Sequence, residues 1–168
     1  PCHVMFQMTA NEEEEMDLQL YQRSCDMFLG VPFNIGSYAL LTHMVSQKVG
    51  LKPRRFIHTF GDSHFYSGLK KRSQWYKENS DELKDRVKNV SDREEHLEVL
   101  EWINKNAPSD PTEERYDHIT AILEQLSREP RKLPKLHIAK KDLYKLTIED
   151  FKIEDYTSHN PIRRTMAV

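Results

Sequence analysis

The two cysteines are the residues with the most obvious capacity for chemistry in this sequence. Cys2 and Cys25 are too few for a disulfide scaffold, and a reducing compartment keeps both as thiols. A thiol becomes a nucleophile when nearby positive charge favours the thiolate, and Arg23 is a candidate for that charge. Cysteine statistics alone favour a buried structural thiol at either position. The sequence around each thiol must therefore decide its role.

The histidines do not indicate a metal site. All eight are scattered without the paired spacing of zinc ligands. Cys2 and His3 are adjacent, so their side chains point to opposite faces if they lie on a strand. We predict no metal, and we interpret Glu12 to Glu15 as a solvated turn rather than a cation site.

The composition predicts a compact protein with no overall electrostatic preference for a partner. Hydrophobic residues make up 38% of the 168 residues, which is enough for a real core. The net charge is only −2, so it gives no indication of DNA or a membrane surface as partner. No apolar run reaches the roughly 20 residues needed to cross a bilayer, and we expect a cytoplasmic protein. The start at Pro1, directly before an apolar segment, suggests part of a longer chain.

Several short segments have the patterns of strands and helices. Leu18 and Leu20 alternate with Gln19, Tyr21 and Arg23, which is typical of a half-buried strand. A mostly apolar segment indicates a largely buried helix that Gly50 ends. The mixture predicts an α+β fold with a sheet. We predict strands at 3–8, 18–24, 55–60 (ended by a turn at Gly61-Asp62), 136–139 and 151–156, and the helix at 33–49.

Residues 68–116 differ from the rest of the chain because they are dense in charge. Helix starts are predicted at Ser80 and at Ser91, where Glu94 has capping-box spacing, and an apolar stripe follows at Leu97, Leu100 and Ile103. A further helix is predicted from Asp110 through to 126. We interpret 68–116 as a helical insertion, a solvated decoration without catalytic duty.

Five motifs occur in the order that one enzyme family has. They are PCH (1–3), LYQRSCDMFLGVPFNIGSYALL (20–41), GDSHFY (61–66), QLSREPRKLPKL (125–136) and MAV (166–168). Together they resemble the thymidylate synthase family. The resemblance covers 1–67 and 117–168, which implies a catalytic domain there with 68–116 inserted.

The resemblance implies reductive methylation of dUMP to dTMP. The co-substrate would be 5,10-methylenetetrahydrofolate, which donates the one-carbon unit and the hydride and becomes dihydrofolate. Carbon 5 of uracil is a poor nucleophile, and a thiolate adding to carbon 6 activates it. By resemblance Cys2 is that nucleophile, Cys25 is a core residue, and the enzyme is a homodimer.

The resemblance also implies which residues bind the nucleotide. Arg23 and Ser24 would hold the phosphate, because a guanidinium fork and a hydroxyl match its oxygens. The Asn34 amide could pair with the uracil edge, and it would otherwise be read as a helix cap. Gln22 would support the hydrogen-bond network, although strand alternation puts it on the face opposite Arg23. The implied nucleotide residues are His3, Gln22, Arg23, Ser24, Asp26, Asn34, His64 and Tyr66, the last two for the 3′-hydroxyl.

The folate side of the site follows from the same resemblance. Asp26 would accept from the pterin N–H groups, while apolar surface and a glycine allow the ring to approach. The terminal MAV resembles a segment that folds over folate and excludes water before hydride transfer. The implied folate residues are Asp26, Leu29, Gly30, Phe33, Ala167 and Val168.

Two departures and two alternatives accompany the resemblance. The family usually has Asn-His where this chain has Asp117-His118, and the family's upstream half is absent, so the 168 residues alone are expected to be inactive. A related pyrimidine nucleotide hydroxymethylase is one alternative, against which Asn34 and the terminal MAV argue. The other is a non-catalytic binding module for a protein or RNA, to which the basic clusters 52–55 and 70–72 lend slight support.

Overall fold

The computed structural model describes residues 1–166 and separates into two compact units. Unit 1 contains residues 1–64 and 131–158, and unit 2 contains residues 65–130 and 159–166. Unit 1 holds the strands together with one long helix, whereas unit 2 is helical. The predicted α+β class is confirmed.

Unit 1 is built on a three-stranded sheet in the order β1-β2-β3. β1 and β2 pair antiparallel, whereas β2 and β3 pair parallel, and helix α1 lies between β2 and β3 in the chain. A parallel pair needs such a crossover because the chain must return to the same end of the sheet. The bounds are β1 His3–Ala10, β2 Glu15–Asp26, α1 Gly30–Val49 and β3 Lys52–His64.

The alternation predicted in β2 is confirmed. Leu18 and Leu20 are fully buried, while Gln19, Tyr21 and Arg23 are exposed. Successive side chains of a strand point to opposite faces, so over residues 18–23 one face of β2 packs in the core and the other faces outwards.

Helix α1 begins earlier and is less buried than predicted. It starts at Gly30 rather than 33, so Asn34 lies inside the helix and does not cap it. It ends at Gly50, whose φ of 78° is the left-handed conformation expected of a glycine cap. The expectation of a largely buried helix is wrong, because one side packs on the sheet while Phe33 remains 77% exposed.

The turn predicted at Gly61-Asp62 is also wrong. β3 continues through both residues to His64 and remains paired with β2, with Ser24 opposite Asp62 and Asp26 opposite His64. A Gly-Asp pair is a strong local turn signal, but here the ladder to β2 overrides it.

A small antiparallel hairpin completes unit 1. Its strands are β4 (Lys135–Ile138) and β5 (Phe151–Glu154), close to the predicted ranges. The segment between them contacts α1, where Gln47 Nε2 donates to Ala139 O at 2.8 Å and Lys48 pairs with Asp142 at 2.6 Å.

Unit 2 has five described helices around a core of Tyr76, Val99, Ile103, Ala107 and Leu123. The stripe predicted on the long helix is partly wrong, since Val99 is buried and Leu97 is 42% exposed. The first helix, α2, was not predicted. The bounds are α2 Lys70–Glu78, α3 Ser80–Lys88, α4 Arg93–Asn106, α5 Pro111–Glu114 and α6 His118–Leu126.

Two helix starts in unit 2 differ from the predicted ones. The capping box of α4 is formed by Asp92 and Glu95, one residue later than Ser91 and Glu94. The helix predicted from Asp110 to 126 is interrupted, because Asp117 starts a new helix by accepting hydrogen bonds at the beginning of α6.

The compact units divide the chain at other places than the predicted insertion. Residues 117–130 and 159–166 pack with the charged helices of 68–116 in unit 2.

Within residues 1–166, no helix is long and apolar enough to cross a membrane.

A carboxylate between two arginines joins β2 to β3 in unit 1. Asp17 has a side chain only 8% exposed, and it accepts hydrogen bonds from Arg54 Nη2 at 2.5 Å and Arg55 Nη2 at 2.7 Å. These hydrogen bonds hold the pKa of the Asp17 carboxyl well below its usual range. The ionised form is therefore stabilised in the folded protein.

The ion pairs of Asp17 with the two arginines make the free energy of unfolding depend on pH in a defined direction. A carboxyl whose folded pKa is lowered contributes stability above its unfolded pKa of about 4, and the contribution is lost as pH falls towards the folded pKa. In the full-length protein, Asp17→Asn should lower the free energy of unfolding at pH 7, and the difference from wild type should shrink below about pH 4. Urea unfolding across pH measures this, with the exposed Glu12→Gln as control. A difference that stays constant down to about pH 2.5 would contradict it.

Candidate active site

The register between β1 and β2 brings Cys2 beside Arg23. His3 pairs with Gln22, and the Arg23 amide donates to the Cys2 carbonyl at 2.9 Å. The Arg23 guanidinium donates through Nε to the Pro1 carbonyl, also at 2.9 Å. Cys2 and Arg23 are both exposed. A free thiol and a guanidinium therefore lie on neighbouring chain segments at the open surface of unit 1.

Gly61 lies against the other side of the Arg23 backbone. A Cβ added at Gly61 would lie 2.7 Å from the Arg23 carbonyl oxygen and 3.0 Å from its Cα. Real Cβ atoms do not approach a backbone so closely, and β3 contacts β2 here only because residue 61 is glycine. This role of Gly61 was not predicted, because its local sequence indicated a turn. A glycine inside a strand pattern was the available signal.

The buried face of β2 behind Arg23 is a structural support. Gln22 is 3% exposed, its Nε2 donates to the Ser24 carbonyl at 2.9 Å, and its Oε1 lies 2.9 Å from His58 Nε2. Cys25 is fully buried, and its thiol donates to the Gln22 carbonyl at 3.3 Å. Burial raises the pKa of the Cys25 thiol and lowers that of His58. Gln22 therefore lies on the face opposite Arg23, as alternation indicated.

His3 contacts Tyr38 of α1. Its Nδ1 lies 3.3 Å from the Tyr38 hydroxyl, and the two rings meet edge to face with centroids 5.3 Å apart. Tyr38 stacks on Phe56 of β3 with centroids 5.9 Å apart. Tyr38 therefore links β1 and β3 through α1, a supporting role that the sequence analysis did not identify.

The loop from β2 to α1 brings an amide and a carboxylate together. Asp26 Oδ1 accepts from the backbone amides of Phe28 and Leu29, both at 3.1 Å. Asn34 lies one turn into α1, and a Cβ added at Gly30 would lie 3.7 Å from Asn34 Oδ1 and 3.4 Å from Asp26 Cβ. These groups share the end of β2, where half-buried Ser24 also lies. Asp26, Leu29, Gly30 and Asn34 are thus close together, with exposed Phe33 on the same helical turn.

The last two predicted nucleotide residues fall in different units. His64 ends β3 in unit 1, where its carbonyl accepts from the Met27 amide at 3.1 Å and its Nδ1 lies 3.3 Å from the Asp62 carbonyl. Tyr66 belongs to unit 2, where its ring meets His118 edge to face with centroids 5.0 Å apart. The contacts of His64 therefore lie within unit 1, and the ring contact of Tyr66 lies within unit 2.

Two of the predicted folate residues, Ala167 and Val168, lie outside the described residues. Met166 is described and exposed. Among residues 1–166, no group of three or more His, Cys, Asp or Glu side chains is arranged to hold a metal ion. The absence of a metal stays a prediction.

Fold and site define an α+β protein with an accessible cysteine held beside an arginine at the start of its sheet. The family model for thymidylate synthase matches residues 1–168, and the chain belongs to the thymidylate synthase family. The resemblance seen in the motifs is thereby confirmed.

Two curated relatives support the same assignment. The chain is 41% identical over 168 residues to a thymidylate synthase of Haloferax volcanii, covering 99% of this chain and 49% of that protein. It is 35% identical over 170 residues to a thymidylate synthase of Malacoplasma penetrans (strain HF-2), covering 100% of this chain and 42% of that protein. The chain thus spans about half the length of these relatives.

The environments of the two thiols predict different reactivity. Cys2 is exposed, whereas burial raises the pKa of Cys25 and shields it from reagents. In the folded full-length protein, iodoacetamide should alkylate Cys2 at least about 100-fold faster than Cys25 at pH 7.5, as measured by peptide mass spectrometry over time. Cys25→Ser should leave the rate at Cys2 unchanged. Similar rates at both positions would contradict the assigned burial.

Proposed function

We propose that this chain carries the nucleophile and much of the nucleotide site of a thymidylate synthase. The reaction is reductive methylation of dUMP to dTMP, with 5,10-methylenetetrahydrofolate as one-carbon and hydride donor and dihydrofolate as by-product. Family membership supports the reaction class, and the single structural observation that carries the proposal is the backbone pairing of Cys2 with Arg23.

Cys2 adds as a thiolate to carbon 6 of the pyrimidine. Its exposure leaves it accessible to substrate, and the Arg23 guanidinium lies on the neighbouring chain segment. The new carbon–sulfur bond places an electron pair at carbon 5, which can then attack an electrophilic carbon. Carbon 5 bonds to the methylene carbon of the folate and loses its proton, and tetrahydrofolate leaves. A hydride from tetrahydrofolate then reduces the methylene carbon to a methyl group as the thiolate leaves carbon 6, which gives dTMP and dihydrofolate. Cys25 takes no part, since it is buried and bonded to Gln22.

The nucleotide is bound at its phosphate and at its uracil base. Arg23 and Ser24 bind the phosphate, where a charged fork and a hydroxyl give several strong hydrogen bonds. Asn34 pairs with the uracil edge, and its position beside Gly30 in the first turn of α1 supports this assignment. His3 of β1, which contacts Tyr38 of α1, and Gln22 on the buried face of the sheet support the site.

The remaining assignments follow the family resemblance. Asp26 contacts both substrates, and its bonds to two loop amides keep its carboxylate near α1. His64 and Tyr66 bind the 3′-hydroxyl. The folate supplies the one-carbon unit and hydride, and the exposed ring of Phe33 offers it apolar surface. The proposed folate residues are Asp26, Leu29, Gly30, Phe33, Ala167 and Val168.

We also propose a cytoplasmic homodimer whose catalytic part is 1–67 with 117–168. A reducing compartment keeps Cys2 as a free thiol. The outer face of the sheet exposes Met5, Tyr21 and Ile57 by 63%, 40% and 38%, and such an apolar surface supports a second subunit as partner.

The covalent step is tested directly in the full-length protein. Incubation with 5-fluoro-dUMP and methylenetetrahydrofolate should attach the nucleotide to the Cys2 peptide, because fluorine at carbon 5 blocks proton loss and the adduct persists. Cys25→Ser should retain the adduct, whereas Cys2→Ser should lose it and lower kcat at least about 1,000-fold. An unmodified Cys2 would refute the proposal. A hydroxymethylated product in place of dTMP would instead support a hydroxymethylase.

Gly61 should control nucleotide affinity without touching the nucleotide. In Gly61→Ala the new Cβ meets the Arg23 backbone, so β2 must shift and carry Arg23 away from the phosphate. We expect the Kd for dUMP, measured by calorimetry, to rise at least about tenfold, which corresponds to ~1.4 kcal/mol. Gly36→Ala is the control, because a Cβ there meets no described atom within 4 Å. An unchanged Kd in a folded Gly61→Ala protein would show that Arg23 does not depend on this contact.

A further inference from the structure

One buried carboxylate in unit 2 serves two sets of donors. Asp117 is fully buried, and its Oδ1 accepts from the amides of Ile119 and Thr120 at 3.0 and 3.2 Å, which caps α6. Its Oδ2 accepts from Arg72 Nε at 2.6 Å and from the Tyr76 hydroxyl at 2.8 Å. Asp117 therefore ties the start of α6 to helix α2.

The α2 side of this contact is equally buried. Arg72 is 2% exposed, its Nη1 donates to the Pro108 carbonyl at 3.0 Å, and its backbone amide donates to Glu113 Oε2 at 2.9 Å. Burial raises the pKa of Tyr76 far above its usual range, and the Asp117 charge acts in the same direction. The Tyr76 hydroxyl thus remains a donor. A buried guanidinium needs an anionic partner, and Asp117 supplies it.

The last described part of the chain lies along α6, and we name residues 159–166 the strap. At the carboxyl end of α6, His159 Nε2 lies 2.7 Å from the Glu129 carbonyl. The strap then runs to the amino end of the same helix, where Arg164 and Thr165 make their hydrogen bonds. It is held at both ends of α6.

Arg164 is bound by the residues that begin α6. Its Nε donates to the Asp117 carbonyl at 2.8 Å, and its Nη2 lies 3.3 Å from Thr120 Oγ1. Asp117 is therefore bound to α2 through its side chain, and it binds the strap through its backbone carbonyl.

Thr165 is bound on both of its backbone groups. Its amide donates to the Arg115 carbonyl at 2.7 Å, and its carbonyl lies 3.0 Å from His118 Nε2. Arg115 and His118 flank Asp117 closely in sequence. The position of Thr165 thus depends on the conformation of 115–118.

We propose that Arg72 and Tyr76 are positioning residues for the strap. They fix Asp117, and Asp117 and its neighbours fix Arg164 and Thr165 near the end of the strap. The inference rests on the proposed function, in which Ala167 and Val168 contact folate. Under this proposal helix α2 has a role in the reaction, and residues 68–116 are more than a solvated decoration.

Hydrogen exchange of the Thr165 amide tests the coupling without any assay of activity. In the full-length protein, Arg72→Met should speed this exchange at least about tenfold, and Tyr76→Phe at least about threefold, because each removes a donor to Asp117. Lys71→Met is the matched control, as Lys71 is the exposed neighbour on α2 and should leave the exchange unchanged.

Two further observations separate coupling from unfolding. The amide of Leu123 in the middle of α6 should keep its protection in Tyr76→Phe, which retains the ring and loses only the hydroxyl. Arg164→Met should speed exchange at Thr165, and adding Arg72→Met should then have less than its separate effect, because both act through Asp117. Unchanged exchange at Thr165 in both α2 variants, or fully additive effects, would overturn the proposal.

A kinetic comparison shows whether the positioning matters for the reaction. Release of tritium from carbon 5 of labelled dUMP requires condensation only, whereas dihydrofolate forms only after hydride transfer in a site that excludes water. In Arg72→Met, dihydrofolate formation should fall about tenfold or more relative to tritium release, while Lys71→Met keeps the wild-type ratio. An unchanged ratio would overturn the link to the reaction. Absence of tritium release in the wild-type protein would instead overturn the proposed function and leave the exchange result standing.

Discussion

The pairing register of strand β2 is the constraint on which the candidate site depends. Side chains alternate along a strand, so Leu18, Leu20 and Gln22 can be buried only if Arg23 points to the other face. A slip of one residue would bury a guanidinium and expose two leucines, and the cost of that exchange fixes the register. Once it is fixed, the Arg23 amide donates to the Cys2 carbonyl, and the residue that carries the exposed thiol becomes a neighbour of the arginine.

The opposite edge of β2 imposes a second constraint on the same residue. Gly61 of β3 lies so close to the Arg23 backbone that any side chain at 61 would collide with it. The ladder between β2 and β3 therefore continues to the end of both strands, where Asp26 pairs with His64. The loop after β2 starts from this end, and the Asp26 carboxylate holds its amides. Asp26, Gly30 and Asn34 thus lie close together where the sheet ends.

Periodic patterns and motifs predicted part of this arrangement, and the failures have a common cause. The alternation of β2 and the glycine that ends α1 follow from backbone geometry, which a local sequence contains. Motif resemblance predicted that Cys2, Arg23 and Asn34 belong to one site. The spacing of these residues in the sequence does not indicate this. Gly61-Asp62 was misread because a turn signal is local while strand pairing is not. The break before α6 was missed because the carboxylate that causes it is fixed by Arg72, 45 residues away in the chain.

The pairing of Asp117 with Arg72 shows how the charged helical segment 68–116 packs against α6. An asparagine could cap α6 through its carbonyl oxygen, but it could not neutralise a guanidinium that is 2% exposed. Conversely, an aspartate at a fully buried position without a cation would carry the full cost of desolvating its charge. Arg72 and Asp117 are therefore acceptable only together, and neither residue can be explained from its own local sequence. Because the Asp117 carbonyl also binds Arg164, the same pair that makes the helical segment compatible with α6 determines where the strap lies.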